Sequence, residues 1–272
     1  MTDPLLTRPL LMIGCGNMAG AMLEGWLAAG ADPRMITVVR PSGRSPAPGI
    51  RTLAALPEDE APALVLLGVK PQKLAEVAPL LAPALEPETI LVSILAGTTL
   101  ATLRARFPAP RTVVKAMPNL PVSLGKGVIE LHTDAAGDPD AAAEVERLMG
   151  ALGRVEWFDD ESLFAIASAL TAAAPAFLYR FLDALAAAGA QLGLPPARAA
   201  GLAAAMAEGA AALASDSAES PEQLARRVAS PGGTTEAGLR ILDGDEALRR
   251  LVFRALDASR KRGAELARLN PR

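Results

Sequence analysis

Three short stretches carry residues whose types and spacing point to chemistry. In Ile13-Gly14-Cys15-Gly16-Asn17-Met18-Ala19, residues Gly14, Gly16 and Ala19 keep a G-x-G-x-x-A spacing after an apolar run and ahead of a helical one. Such glycines allow a tight turn and let a dinucleotide pyrophosphate approach the backbone at the positive end of the helix. At the end of the next apolar run stands Arg40-Pro41-Ser42-Gly43-Arg44, with no carboxylate. An acid there would hold the ribose 2′-hydroxyl of NAD. Arginine and a hydroxyl suit a 2′-phosphate instead, so NADPH is expected, with NADH as second choice and solvated loop charge as the plain alternative. Late in the chain, Ala229 to Gly238 reads ASPGGTTEAG. A glycine turn leading into a helix offers unpaired N–H donors to an anion, although Thr234 or Thr235 could equally be a simple helix cap.

The elements that must position these stretches alternate in the first half of the chain. PLLMI, MITVV, ALVLLGV, TILVSIL and RTVVKAM read as fully apolar strands separated by helical runs. That pattern predicts an α/β fold with a doubly wound parallel sheet of Rossmann type, extended by GVIEL, one more helix and VEWF to about Phe158. Three further loops follow strands: Gly68–Gln72, Ser93–Thr99 and Lys115–Gly127. Ligands bind at the carboxyl ends of strands in open sheets, so these are candidate cofactor loops. Pro71 also reads as a helix start, Ser93 as a cap, and Asn119 as either a turn former or a partner for a carboxamide. From Asp159 the period is helical only, giving residues 1–158 as an NADP(H)-binding domain and 159–272 as an all-helical one. Pro175 predicts a kink or restart in its first long helix.

The chain has 272 residues, 51% of them hydrophobic but only 3% aromatic, so its core is built from Ala, Leu and Val. The Ala- and Gly-rich helices of the second half bury little area each, which predicts completion by a partner chain in a homodimer or larger assembly. A self-contained bundle is the alternative. A net charge of -3 gives no reason to expect nucleic acid or an anionic membrane and leaves a small metabolite as the expected partner. One cysteine and one histidine permit neither an internal disulfide nor a zinc-type cluster, so no metal is expected. The N-terminus lacks a signal-peptide pattern, and no run reaches the about 20 apolar residues that span a bilayer. A cytoplasmic protein is expected.

GCGNM, VKPQ, SILAG, AMPNLPV and SPGGTT, in this order and spacing, resemble pyrroline-5-carboxylate reductase from about Leu10 to about Ala264. The resemblance implies a Rossmann domain that binds NADPH and a helical domain that dimerises, often assembling to a decamer. It implies reduction of Δ1-pyrroline-5-carboxylate to L-proline. Carried over, it puts Gly14, Gly16, Asn17 and Met18 on the cofactor, Arg40 and Ser42 near its 2′-phosphate, and Lys70, Pro71, Ala96, Gly97 and Asn119 along the adenosine to nicotinamide path. The substrate carboxylate would be wrapped by Ser230, Gly232, Gly233, Thr234 and Thr235. Thr235 is the catalytic candidate, hydrogen-bonding near the ring nitrogen.

Two departures stand out. The family's S-G-S-G-P-A-Y is here Thr171-Ala172-Ala173-Ala174-Pro175-Ala176-Phe177, and Lys115 stands where the family often has arginine. Added methyls crowd close approaches, and lysine lacks the planar fork of donors. The change at 171–174 leaves open a reductase of a related cyclic imine, or a non-catalytic NADP(H)-binding oligomer. A 3-hydroxyacid dehydrogenase would need a lysine early in the helical half, but the only lysine after Phe158 is Lys261.

Overall fold

A computed structural model describes residues 4–57, 61–134 and 138–269. It divides the chain into two compact units, Met1–Ala173 with Ser259–Arg272, and Ala174–Ala258. The first is built on eight strands: β1 (Leu10–Ile13), β2 (Ile36–Val39), β3 (Arg51–Leu53), β4 (Leu64–Leu67), β5 (Ile90–Ser93), β6 (Thr112–Pro118), β7 (Gly127–Thr133) and β8 (Gly153–Trp157). They lie in the order β3-β2-β1-β4-β5-β6-β7-β8. The helices are α1 (Asn17–Ala28), α2 (Leu74–Leu81), α3 (Leu100–Arg106), α4 (Pro139–Gly150) and α5 (Glu161–Thr171).

Every residue of β1 and β4 is buried, because helices cover both faces of the sheet. Alternation sends Leu10 and Met12 into one core with Met22 and Trp26 of α1 and Val145 and Leu148 of α4. Leu11 and Ile13 face the other, with Leu74 and Leu81 of α2 and Leu103 of α3. Trp26 Nε1 donates to Leu148 O at 2.8 Å, tying α1 to α4.

The sheet is the expected doubly wound parallel one except at a single pair. β6 and β7 pair antiparallel, with Lys115 opposite His132 and Met117 opposite Glu130, while β7 and β8 are parallel again. The connection through the short turn Leu120–Leu124 is too brief for a crossover, which takes about a dozen residues or more. The short strand β3 also went unrecognised, lying in a Gly- and Pro-rich stretch.

The second unit holds α6 (Ala174–Gln191), α7 (Pro196–Asp216), α8 (Pro221–Val228), α9 (Thr234–Asp243) and the first half of α10 (Ala247–Leu269). Of the kink or restart expected at Pro175 the helix takes the restart: α5 ends at Thr171 and α6 begins at Ala174, so the proline sits where its missing N–H costs nothing. Among the described residues of this unit, the only buried hydrophobic side chains are Ala199 and Ala203. Leu178, Phe181, Leu185, Leu202 and Phe253 are exposed. Against the expected lack of any membrane-length run, an 18-residue window within Glu161–Gln191 has mean hydropathy 1.6, enough by length and composition alone to cross a bilayer, although the helix is interrupted between Thr171 and Ala174.

Gly25 of α1 marks the tightest approach of helix to turn, since a Cβ there would come 2.3 Å from Val122 O and 2.7 Å from Leu152 Cδ2. Gly25→Ala should therefore lower stability by about 1–3 kcal/mol although alanine is the better helix former. Urea unfolding should show a lower midpoint at unchanged slope.

Candidate active site

The cofactor candidates of the first unit gather on one edge of the sheet. β1 continues into Gly14, whose N–H donates to Val39 O at 2.8 Å, and β4 continues into Gly68, whose N–H donates to Ile13 O at 2.9 Å. These strands flank the point where the strand order reverses. Gly14 has φ +85°, and a Cβ on it would lie 3.0 Å from Gly68 O. Only glycine meets both demands.

Gly16 then caps α1 without any side-chain hydrogen bond, and no acidic residue occupies the first turn, where Asn17 and Met18 stand. Free N–H groups and the positive end of the helix fit a pyrophosphate. Arg40 follows β2, held by its N–H to Leu53 O at 2.9 Å. Its charge reaches the glycine turn: burial pushes the Cys15 thiol up, and Arg40 pulls it back down. Ser42 and Arg44 are exposed beside it, with Arg44 N–H donating to Ser42 Oγ at 3.4 Å. Residues 40–57 contain no carboxylate, so this edge fits a phosphorylated ribose.

Lys70 and Pro71 follow β4, with Lys70 exposed ahead of a short turn, Pro71–Lys73. Ala96 and Gly97 follow β5. Gly97 has φ +68°, and the end of α10 rests on it: a Cβ would lie 2.9 Å from Leu266 Cβ. Asn119 follows β6 but is buried, its Nδ2 donating to Thr171 O at 3.1 Å and its Oδ1 accepting from Val128 N at 2.9 Å. Its amide therefore ties α5 to the turn between β6 and β7.

Sequence reasoning missed a polar stripe under α5. Lys115, His132 and Glu130 are buried on the strands, against Glu161, Phe164 and Thr171 of the helix. Lys115 Nζ lies 2.5 Å from Glu161 Oε1 and 4.7 Å from the Phe164 ring centroid. Glu161 also accepts from Leu100 N at 3.0 Å, and His132 Nδ1 is 2.8 Å from Phe158 O. The signal was legible only as i, i+3 and i+10 spacing along α5, which puts those residues on one helix face.

In the second unit, Ser230, Gly232, Gly233, Thr234 and Thr235 form the turn into α9. Gly233 N–H donates to Ser230 O at 2.9 Å, and Gly232 N–H donates to the Glu236 carboxylate at 2.7 Å. No side chain caps α9 at Gly233, which leaves the N–H groups and hydroxyls of Thr234 and Thr235 to meet an anion.

A glycine turn at the strand-order reversal of a doubly wound sheet, followed by a helical second unit, defines a dinucleotide-binding protein with a separate helical region. Residues 161–266 match the family model for pyrroline-5-carboxylate reductase dimerisation, and residues 10–97 match that for NADP oxidoreductase, coenzyme F420-dependent. A pyrroline-5-carboxylate reductase of Pseudomonas aeruginosa is 37% identical over 96% of this chain and 97% of its own. The structure of one from Coxiella burnetii matches with TM-score 0.84 and 31% identity, covering 96% and 99% of the two chains. A Plasmodium falciparum pyrroline carboxylate reductase solved with NADP bound shares the fold, with TM-score 0.85 and 22% identity over 96% and 98%. The chain belongs to the pyrroline-5-carboxylate reductase family.

The Lys115 pair has a consequence for acid stability. Burial pushes the Glu161 carboxyl up, but the hydrogen bond and charge of Lys115 outweigh it and hold the group below its ordinary value of 4.5. A depressed carboxylate stabilises the fold above its unfolded pKa and loses that contribution as pH falls through the folded one. Glu161→Gln should thus be less stable than the parent at neutral pH, with the difference vanishing in strong acid when denaturant midpoints are compared.

Proposed function

We propose that the chain catalyses the NADPH-dependent reduction of L-Δ1-pyrroline-5-carboxylate to L-proline, the last step of proline biosynthesis. The observation that carries this reading is the ASPGGTT turn, where the Glu236 carboxylate takes Gly232 N–H but no side chain caps α9 at Gly233, in the region that matches the family's dimerisation model. A protein that only sensed a nucleotide would have no use for a second anion-accepting turn. NADPH rather than NADH is supported by Arg40 and Ser42 after β2, and NADH is the weaker alternative.

In this reading Gly14, Gly16, Asn17 and Met18 hold the pyrophosphate, Arg40 and Ser42 the 2′-phosphate, and Lys70, Pro71, Ala96, Gly97 and Asn119 line the rest of the cofactor path. The cofactor, when bound, supplies a hydride to the imine carbon. Ser230, Gly232, Gly233, Thr234 and Thr235 bind the substrate carboxylate, and Thr235 also hydrogen-bonds near the ring nitrogen. A cyclic imine is already an electrophile once protonated, so the protein contributes chiefly position, with water as a sufficient proton source.

Residues 1–158 then form the NADP(H)-binding domain and 159–272 the substrate and dimerisation domain. The exposed apolar side chains of α5 and α6 are assigned to a second copy of the chain rather than to lipid, giving a homodimer that assembles to a decamer in the cytoplasm.

Purified protein should oxidise NADPH rapidly on addition of Δ1-pyrroline-5-carboxylate, more slowly with NADH, and not with the 2-carboxylate isomer. Absence of oxidation with the 5-carboxylate would overturn the reading. Thr235→Ala should lower kcat/KM at least about tenfold, equivalent to about 1.4 kcal/mol of transition-state stabilisation.

A further inference from the structure

Glu130 is 1% exposed, on β7, and the reductase chemistry proposed above makes no use of it. One carboxyl oxygen, Oε1, pairs with the Thr171 hydroxyl at the last residue of α5. The other, Oε2, is buried and has no hydrogen-bond partner in the protein. Thr171 Oγ1 also lies 3.1 Å from Ala167 O, one turn back along the helix. A threonine hydroxyl has a single hydrogen and two lone pairs. It can donate to Ala167 O or to Glu130, but not fully to both. Both contacts are satisfied together when Glu130 carries a proton and donates it to Thr171 Oγ1, while Thr171 donates back to Ala167 O.

Other groups on this face do not supply a counter-charge. Lys115 is engaged by Glu161, His132 by Phe158 O, and Glu156, opposite Glu130 on β8, is paired with Arg154. Burial pushes the Glu130 carboxyl up, in the same direction as the hydrogen count.

Thr171 is also where α5 ends, two residues before the break between the two units at Ala173. Its carbonyl accepts from Asn119 Nδ2, its hydroxyl meets Glu130, and only Ala172 and Ala173 separate it from α6.

We propose that Glu130 is a positioning residue for the reduction: as a neutral acid it clamps Thr171 and so fixes the point from which the chain enters the helical unit that carries the Ser230–Thr235 turn. The proposal rests on the reductase reading. Loss of the clamp leaves the glycine turn of β1 and α1 intact, so the defect falls on turnover of the imine and not on NADPH binding.

The test joins spectroscopy to kinetics. The infrared difference between the parent and Glu130→Gln at about pH 7 should contain the C=O stretch of a protonated carboxylic acid, well above the usual carboxyl pKa range. A carboxylate band in its place would overturn the proposal, and this readout does not depend on activity. Glu130→Gln, whose amide N–H can replace the acid O–H, should keep at least about a third of the parent's kcat. Glu130→Leu should lose about tenfold or more in kcat with NADPH Kd within about twofold of the parent. Should the leucine variant fail to fold, Thr171→Val must show the same kcat loss and Thr171→Ser must restore it. Equal kcat in all variants, or equal loss in Glu130→Gln and Glu130→Leu, would overturn the clamp. Failure of the reductase reading is separately visible, because the parent itself would then not oxidise NADPH with the imine.

Discussion

The close approach of Gly14 to Gly68 is the constraint on which the nucleotide-binding unit depends. Two backbone segments meet where the strand order reverses, with no side chain between them, and Ala19 closes the same contact from α1. Anything larger would part β1 from β4 or lift α1 from the sheet. The buried Leu, Ile and Val residues of both cores hold these strands in register and so keep the α1 N–H groups aimed at one spot. Apolar packing supplies most of the rigidity here, and the glycines let that rigidity be used for binding.

A different logic holds α5. The helix sits over a buried polar row, and each end has its own fastening: Lys115 with Glu161 at the start, Glu130 and Asn119 with Thr171 at the finish. Buried polar groups contribute little net stability compared with apolar ones, but they are intolerant of misplacement. The helix is thereby fixed along its axis as well as onto the sheet. Lys115 forms its ion pair with Glu161, and Phe164 covers it as a cation–π partner.

Much of this was legible in the sequence because apolar strands and glycine spacing are local signals. PLLMI and ALVLLGV announce buried parallel strands, and Gly14 with Gly16 announces the turn between strand and helix. The antiparallel turn of β7 was not legible, since GVIEL looks alike in either direction and only the length of its connection decides. Nor was the role of Asn119, whose two bonds reach nine and 52 residues along the chain. The polar row under α5 joins residues from β6, β7 and α5 that share no local pattern. The apolar surface of the helical unit was readable as composition, whereas its near lack of any core of its own became visible only in the folded chain.

The contact of Leu266 with Gly97 makes the first unit discontinuous, since the stretch from Ser259 onward belongs with residues made long before it. During synthesis the sheet and its loops leave the ribosome well ahead of the helix end that rests on the loop after β5. The nucleotide-binding unit therefore cannot finish folding until Leu266 has emerged, although most domains at the start of a chain are complete as soon as they are made. A chain truncated near its end would lose more than a tail, because the deficit would appear at a loop laid down some 170 residues earlier, by the separation of Gly97 and Leu266.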